Sequence, residues 1–297
     1  MTLGRAREMH VAVCLYVNLV KQAGAAWLED RAPTMGAALA FYSAFALAPL
    51  LVIVIALAGP VWGTNAARGA IVGQLAGMVG VPAAEAIQAL LRAAPQTTTG
   101  MFAAIVGILT TLVTATTLVV ELQDDLDYIW KAPARPGSGW VSLLRARILA
   151  LGIILAIGLL LLISLIVSGA LVAFRTYFGR FFPSAALFLL HLSNVVFFLG
   201  AETVLFAMLY KWLPNVQIAW KDVWIGAFIT ALLFSVGRAA IGLYLGGSAI
   251  ASAYGAAGTP AVFLLWLYYS AQVFLLGAEF SCVYANFHRR RRELASS

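Results

Sequence analysis

The sequence predicts an all-α integral membrane protein with about six transmembrane helices and both termini on the cytoplasmic side. Three observations lead there. Hydrophobic residues fill 63% of the 297 positions and charged residues only 10%, against about 45–50% and about 25% in soluble domains. Mean hydropathy is +0.94. The apolar residues fall in runs of about 20 or more, the length that crosses the hydrocarbon of a bilayer. No water-soluble core could hide so much apolar surface, so residues 1–297 read as one polytopic membrane domain.

The elements follow in order. Residues 1–33 form a cytoplasmic segment with an interfacial helix. Val11–Leu28 is apolar but contains Asn18, Lys21 and Gln22 and closes in Glu29-Asp30-Arg31. That pattern predicts a helix lying on the membrane, with Trp27 at headgroup level. Arg5, Arg7 and the small residues Ala23 and Ala25 imitate a signal peptide. Lys21 and Gln22 interrupt the approach to any cleavage site, so the segment is expected to be retained. Transmembrane helices are expected at 35–59, 100–127, 148–174, 183–211, 223–245 and 260–287. Residues 64–94 carry short apolar patches split at Gly80-Val81-Pro82, with Arg68, Glu85 and Arg92 among them. They predict an amphipathic segment outside the bilayer. A basic cytoplasmic tail, 288–297, closes the chain.

Charge sets the orientation. With both termini inside, the cytoplasmic face holds Arg5, Arg7, Lys21, Arg31, Lys131, Arg135, Arg145, Arg147, Lys211, Lys221 and the run from Arg289 to Arg292. The outer face holds Arg68, Arg92, Arg175 and Arg180. This asymmetry is the positive-inside pattern. It also accounts for the net charge of +7 without nucleic acid. Arg145, Arg147, Arg289 and Arg290 are candidate contacts for anionic lipid, each worth about 1 kcal/mol near the surface.

The chemistry lies in polar residues inside the spans. Thr114, Thr117 and Glu121 recur every three or four residues on the second span. Gln272 and Glu279 share one face of the sixth, Asn194 and Glu202 one face of the fourth, and Thr230, Ser235 and Arg238 a narrow arc of the fifth. Four spans thus each have a polar stripe, and together they predict a polar interior or hydrated cavity. Facing lipid, Glu121, Glu202, Arg238 and Glu279 would cost on the order of 10 kcal/mol. Glu202 and Arg238 are the natural ion pair. Arg238 is a candidate anion contact, and the three glutamates are candidate proton carriers. The plainer reading is that ion pairs and threonine hydroxyls only hold the helices together. Pro49 predicts a kink in the first span, because it frees the carbonyl of Phe45.

Other chemistry has little support. Cys14 and Cys282 are far apart, and His10, His191 and His288 are scattered, so no metal site, cofactor or disulfide is expected. No nucleophile–base set, phosphate loop or ATP-binding motif is visible, and no enzyme activity is expected.

Three stretches carry a resemblance. RAPTMGAALAFYSAFALAPLLVIVIALAG from Arg31, ELQDDLDYIW from Glu121 and YGAAGTPAVFLLWLYYSAQVFLLGAEFSCVYA from Tyr254 resemble the YihY/BrkB family of bacterial inner-membrane proteins. The resemblance covers nearly the whole chain. It implies a polytopic protein of the bacterial cytoplasmic membrane, with links in some members to serum resistance and in others to lipid or envelope export. The family's old label, ribonuclease BN, finds no support in these residues, which offer neither a metal cluster nor an acid–base pair in an aqueous site.

Two functions remain. One is a translocator that moves a lipid or other amphiphilic or anionic solute through the polar interior. The other is a non-transporting scaffold or partner subunit of envelope machinery. The expected partners are membrane lipids, with envelope proteins or further copies of the chain as alternatives. Open water at Glu202 would favour the translocator, and a packed ion pair there the scaffold.

Overall fold

A computed structural model describes residues 17–46, 101–133, 183–247 and 258–296, with single positions between them. Pro49, Arg145, Arg147 and all but scattered positions of 64–94 and 148–174 lie outside the described residues. So do the side chains of Thr114, Asn194 and Arg290.

Every described element is an α-helix. In chain order they are α1 (17–29), α2 (32–46), α3 (Met101–Ile129), α4 (Pro183–Trp212), α5 (Trp220–Gly247) and α6 (Gly258–Ser296). Three are long and apolar enough to cross a membrane, over Val195–Trp212, Trp220–Ala240 and Phe263–Arg289. Helix α6 runs past residue 287 and through the arginine run, so the basic tail begins as helix.

Helix α5 shows why these segments suit lipid. Val223, Ala227, Thr230 and Ala231 are fully buried, at the three- and four-residue spacing of one helix face. The opposite face carries Trp224, Phe228, Leu232 and Val236 at steps of four, all exposed. A helix apolar on both faces fits a membrane, whereas a soluble surface helix would put polar residues outside. Asp222 in the first turn complements the positive end of the helix dipole.

Residues 213–219 join α4 to α5, and α5 packs on α4 and α6. One core cluster draws Leu39 from α2, Leu126 and Ile129 from α3, Phe206 and Tyr210 from α4, Val223 from α5 and Leu275 from α6. In lipid such a cluster gains little from escaping water, so close packing and hydrogen bonds must hold it. The tightest seam is between α5 and α6. A Cβ on Gly277 would overlap Thr230 Oγ1 and Tyr210 Oη, and one on Gly226 would overlap Ser281 Oγ. Within that seam Tyr210 Oη donates to the Phe274 carbonyl at 2.7 Å and lies 3.0 Å from Thr230 Oγ1.

Described helices α1 to α5 each have an end near the α4–α5 link, and α6 passes it close to its own end. Gln123 Nε2 of α3 donates to the Leu213 carbonyl at 2.7 Å, and Asp127 accepts from the backbone N–H of Asn215, also at 2.7 Å. Helix α3 closes in a Schellman motif. Ala132 N–H bonds to Asp127 O and Lys131 N–H to Tyr128 O, with Lys131 in the left-handed region at φ 49°. Helices α1 and α2 are separated by a break at Asp30-Arg31, where Arg31 has φ 56°. Before the break, Leu19 and Ala23 pack on Phe280 and Tyr284 of α6, while Val17, Val20 and Leu28 are exposed. Trp27 turns toward the core, with its indole N–H buried.

Candidate functional site

Among the described residues the most deeply buried acidic side chains are Glu202 and Glu279, each 2% exposed. Their surroundings differ. Glu202 sits on α4 opposite Ser235 and Arg238 of α5. Arg238 donates to Glu202 Oε1 at 2.9 Å, and Ser235 Oγ donates to Oε2 at 3.0 Å. Arg238 also reaches Ser235 Oγ at 3.4 Å. Both carboxylate oxygens are satisfied. The pairing expected from sequence is present, and among the described residues it is a packed ion pair. Arg238 is thereby held by Glu202 and Ser235, with its side chain 22% exposed.

Glu279 lies on α6 at the link end. Its Oε1 is buried and has no hydrogen-bond partner. Its charged neighbours are Asp30, at the α1–α2 break, and Lys131, just past α3. The structure sets acidic Asp30 against Glu279, while Glu121 has acidic Asp125 of its own helix as a neighbour.

Glu279 lines a cavity of about 800 Å³. Asp30, Trp130, Lys131, Asp222, Asn286, Arg289 and Glu293 also line it, with residues 216–219 of the link. Trp130 Nε1 is buried without a partner as well. Charges of both signs therefore line one space, along with an unused acceptor and an unused donor. Among the described residues no group of three His, Cys, Asp or Glu could hold a metal ion.

An aromatic group sets the depth of this end. Exposed Trp212 and Trp220 have ring centroids 6.4 Å apart, Trp220 and Trp224 6.5 Å apart, and Lys211 Nζ lies 5.5 Å from the Trp220 ring centre. Exposed tryptophans beside a lysine are typical of a membrane–water boundary. The cavity shares the link with this group.

The other candidates behave as helix glue or stand apart. Thr117 and Thr116 both return their hydroxyls to the Val113 carbonyl, at 2.7 and 3.1 Å. Gln272 Nε2 reaches the Pro33 carbonyl at 3.4 Å, while its Oε1 is buried without a partner. Arg289 lines the Glu279 cavity. Sequence reasoning missed Asp30, Trp130, Lys131 and Asp222, because they fall at the margins of the spans where polar residues are ordinary. A signal existed: Trp130-Lys131 directly follows the polar stripe of α3, and Glu29-Asp30-Arg31 ends α1.

The sequence profile described as virulence factor BrkB matches residues 23–297. The chain belongs to the BrkB family. Similar proteins are named UPF0761 membrane proteins. That of Pseudomonas aeruginosa strain PAO1 is 28% identical over 272 residues, covering 86% of this chain and 60% of its own. That of Azotobacter vinelandii is 28% identical over 272 residues, covering 90% and 63%. That of Tolumonas auensis is 27% identical over 188 residues, covering 63% and 59%. The chain thus spans about 60% of the length of these BrkB relatives. No solved structure matches.

Proposed function

We propose that this BrkB-family protein moves a lipid or similar amphiphile across a bacterial cytoplasmic membrane, with the Glu279 cavity as its cytoplasmic mouth. The cavity carries the reading: Glu279, with one buried carboxylate oxygen lacking a partner, lines a space of about 800 Å³ bordered by both charge signs. A purely structural end of a bundle has no need of that arrangement, because an unsatisfied buried acceptor costs about 1–3 kcal/mol or more.

The proposal includes six spans with both termini inside. The directions of the helices support it. Helices α2 and α5 start at the link end, and α3, α4 and α6 finish there, so segment 148–174 would supply the remaining outward pass. The positive-inside pattern makes the link end cytoplasmic.

The second reading, a scaffold for envelope machinery, is favoured by the packed Glu202–Arg238 pair. On that reading the middle of the bundle is fixed. Flux separates the two. Purified protein is reconstituted in vesicles with headgroup-labelled lipid, and the outer leaflet is bleached. The translocator reading expects bleaching to run well beyond the outer half of the label in wild type, and to stop at that half in Glu279→Gln. Wild-type vesicles that behave like empty ones would leave the scaffold reading.

A further inference from the structure

We propose that the Glu279 cavity binds a zwitterion that carries an ammonium group and an acidic phosphate oxygen, as in an ethanolamine phosphate headgroup. The proposal rests on the transport reading for the site's purpose, but not for the binding itself. From sequence the solute was expected to be a lipid or other amphiphilic or anionic species, with Arg238 as the candidate anion contact. Arg238 is taken by Glu202 and Ser235, which moves the question to the cavity.

The cavity offers two kinds of contact. The carboxylates of Glu279, Asp30 and Asp222 line it, and so do Lys131, Arg289 and Trp130. Glu279 is 2% exposed and its Oε1 accepts nothing. Asp30 lies within hydrogen-bonding reach of its side chain, and Lys131 within electrostatic reach. An ammonium with three donors can serve the carboxylates, and a phosphate oxygen can serve the cations. The Trp130 indole N–H is buried and donates to nothing. One ligand with donors at one end and acceptors at the other meets both kinds of lining charge, which a simple cation or a simple anion cannot.

Two further facts bear on the ligand. Lys131 holds a left-handed backbone at φ 49°, where glycine would be less strained. A lysine kept there points to use of its side chain. The link that walls the cavity also carries the Trp212–Trp220–Trp224 group at its two ends, so the cavity lies at headgroup depth.

The test has two arms, because the same chemistry occurs in a lipid and in a free solute. In the lipid arm the full chain is offered equal phosphatidylethanolamine and phosphatidylglycerol with identical acyl chains, and bound lipid is counted by native mass spectrometry. Phosphatidylethanolamine should be enriched about ten-fold, and Glu279→Gln should erase the preference, since a charge-assisted hydrogen bond is lost. Trp130→Phe should weaken binding about five-fold. Glu29→Gln, an exposed change outside the cavity, should leave it intact. In the solute arm, calorimetry in phosphatidylglycerol nanodiscs compares glycerophosphoethanolamine with glycerol phosphate. Binding in both arms assigns the shared zwitterion, and binding in the lipid arm alone assigns the headgroup of a lipid.

Equal binding of the two lipids, or a preference that survives Glu279→Gln, overturns the proposal. If Glu279→Gln does not yield monodisperse protein, Asp222→Asn and Trp130→Phe decide the matter by the same reading. These are equilibrium measurements. Selective binding without flux would end the transport reading and leave the site, and flux without selectivity would do the reverse.

Discussion

Glu202 and Glu279 are equally buried, both at 2% exposure, yet one is finished and the other is not. Glu202 has an arginine on one oxygen and a serine on the other. Glu279 has an acidic neighbour, a lysine within electrostatic reach, and an oxygen with no partner beside a cavity. Burial alone does not tell a structural carboxylate from a working one. What separates them is whether the chain itself completes the hydrogen bonds. A completed buried pair holds helices in register. An uncompleted one leaves work for something outside the chain.

The largest predicted effect is at the finished site. Arg238→Ala leaves the Glu202 charge buried and unpaired, and should cost about 3–5 kcal/mol, read as a lowered unfolding midpoint in detergent. Replacing the pair together, as Glu202→Leu with Arg238→Met, should recover most of that loss. If Arg238→Ala melts like wild type, the pair is not structural and the comparison fails. This differs from the reading of Arg238 as an anion contact.

Next comes the seam two residues before Glu279. Gly277→Val inserts atoms where Thr230 and Tyr210 already touch, and should cost about 1–3 kcal/mol by overpacking. Tyr210→Phe removes the donor to the Phe274 carbonyl and should cost about 1 kcal/mol. Together they sharpen the contrast, because they would show that α6 is tightly packed immediately beside a site left open. The smallest effect belongs to Thr117→Val. Its hydroxyl returns to its own helix, so stability should change by less than about 0.5 kcal/mol.

The helical fold and the Glu202–Arg238 pair were legible because both rest on local rules. Runs of apolar residues specify helices, and two opposite charges one short link apart in lipid must find each other. The break after Glu29-Asp30-Arg31 was legible too, as the charged end of an apolar run. The cavity was not. Its walls come from α1, α3, the α4–α5 link, the start of α5 and α6, and no periodicity within one helix reports how separate chain segments meet. Glu279 drew notice because a carboxylate inside a span is costly. Asp30 and Lys131 did not, since at a span's margin a charge costs little and calls for no explanation. The close-packing glycines were not legible either: Gly226 and Gly277 make the seam, each in a local sequence that gives no hint of its partner.

The direct test of the contrast is to melt Glu202→Gln and Glu279→Gln side by side in the same detergent. The account predicts a clear fall in midpoint for Glu202→Gln, which unpairs Arg238. It predicts an unchanged or raised midpoint for Glu279→Gln, whose amide can still hydrogen-bond Asp30 and which removes a charge facing it. The opposite order would mean that Glu279 holds the fold and Glu202 is the dispensable carboxylate, which would contradict the roles assigned to both.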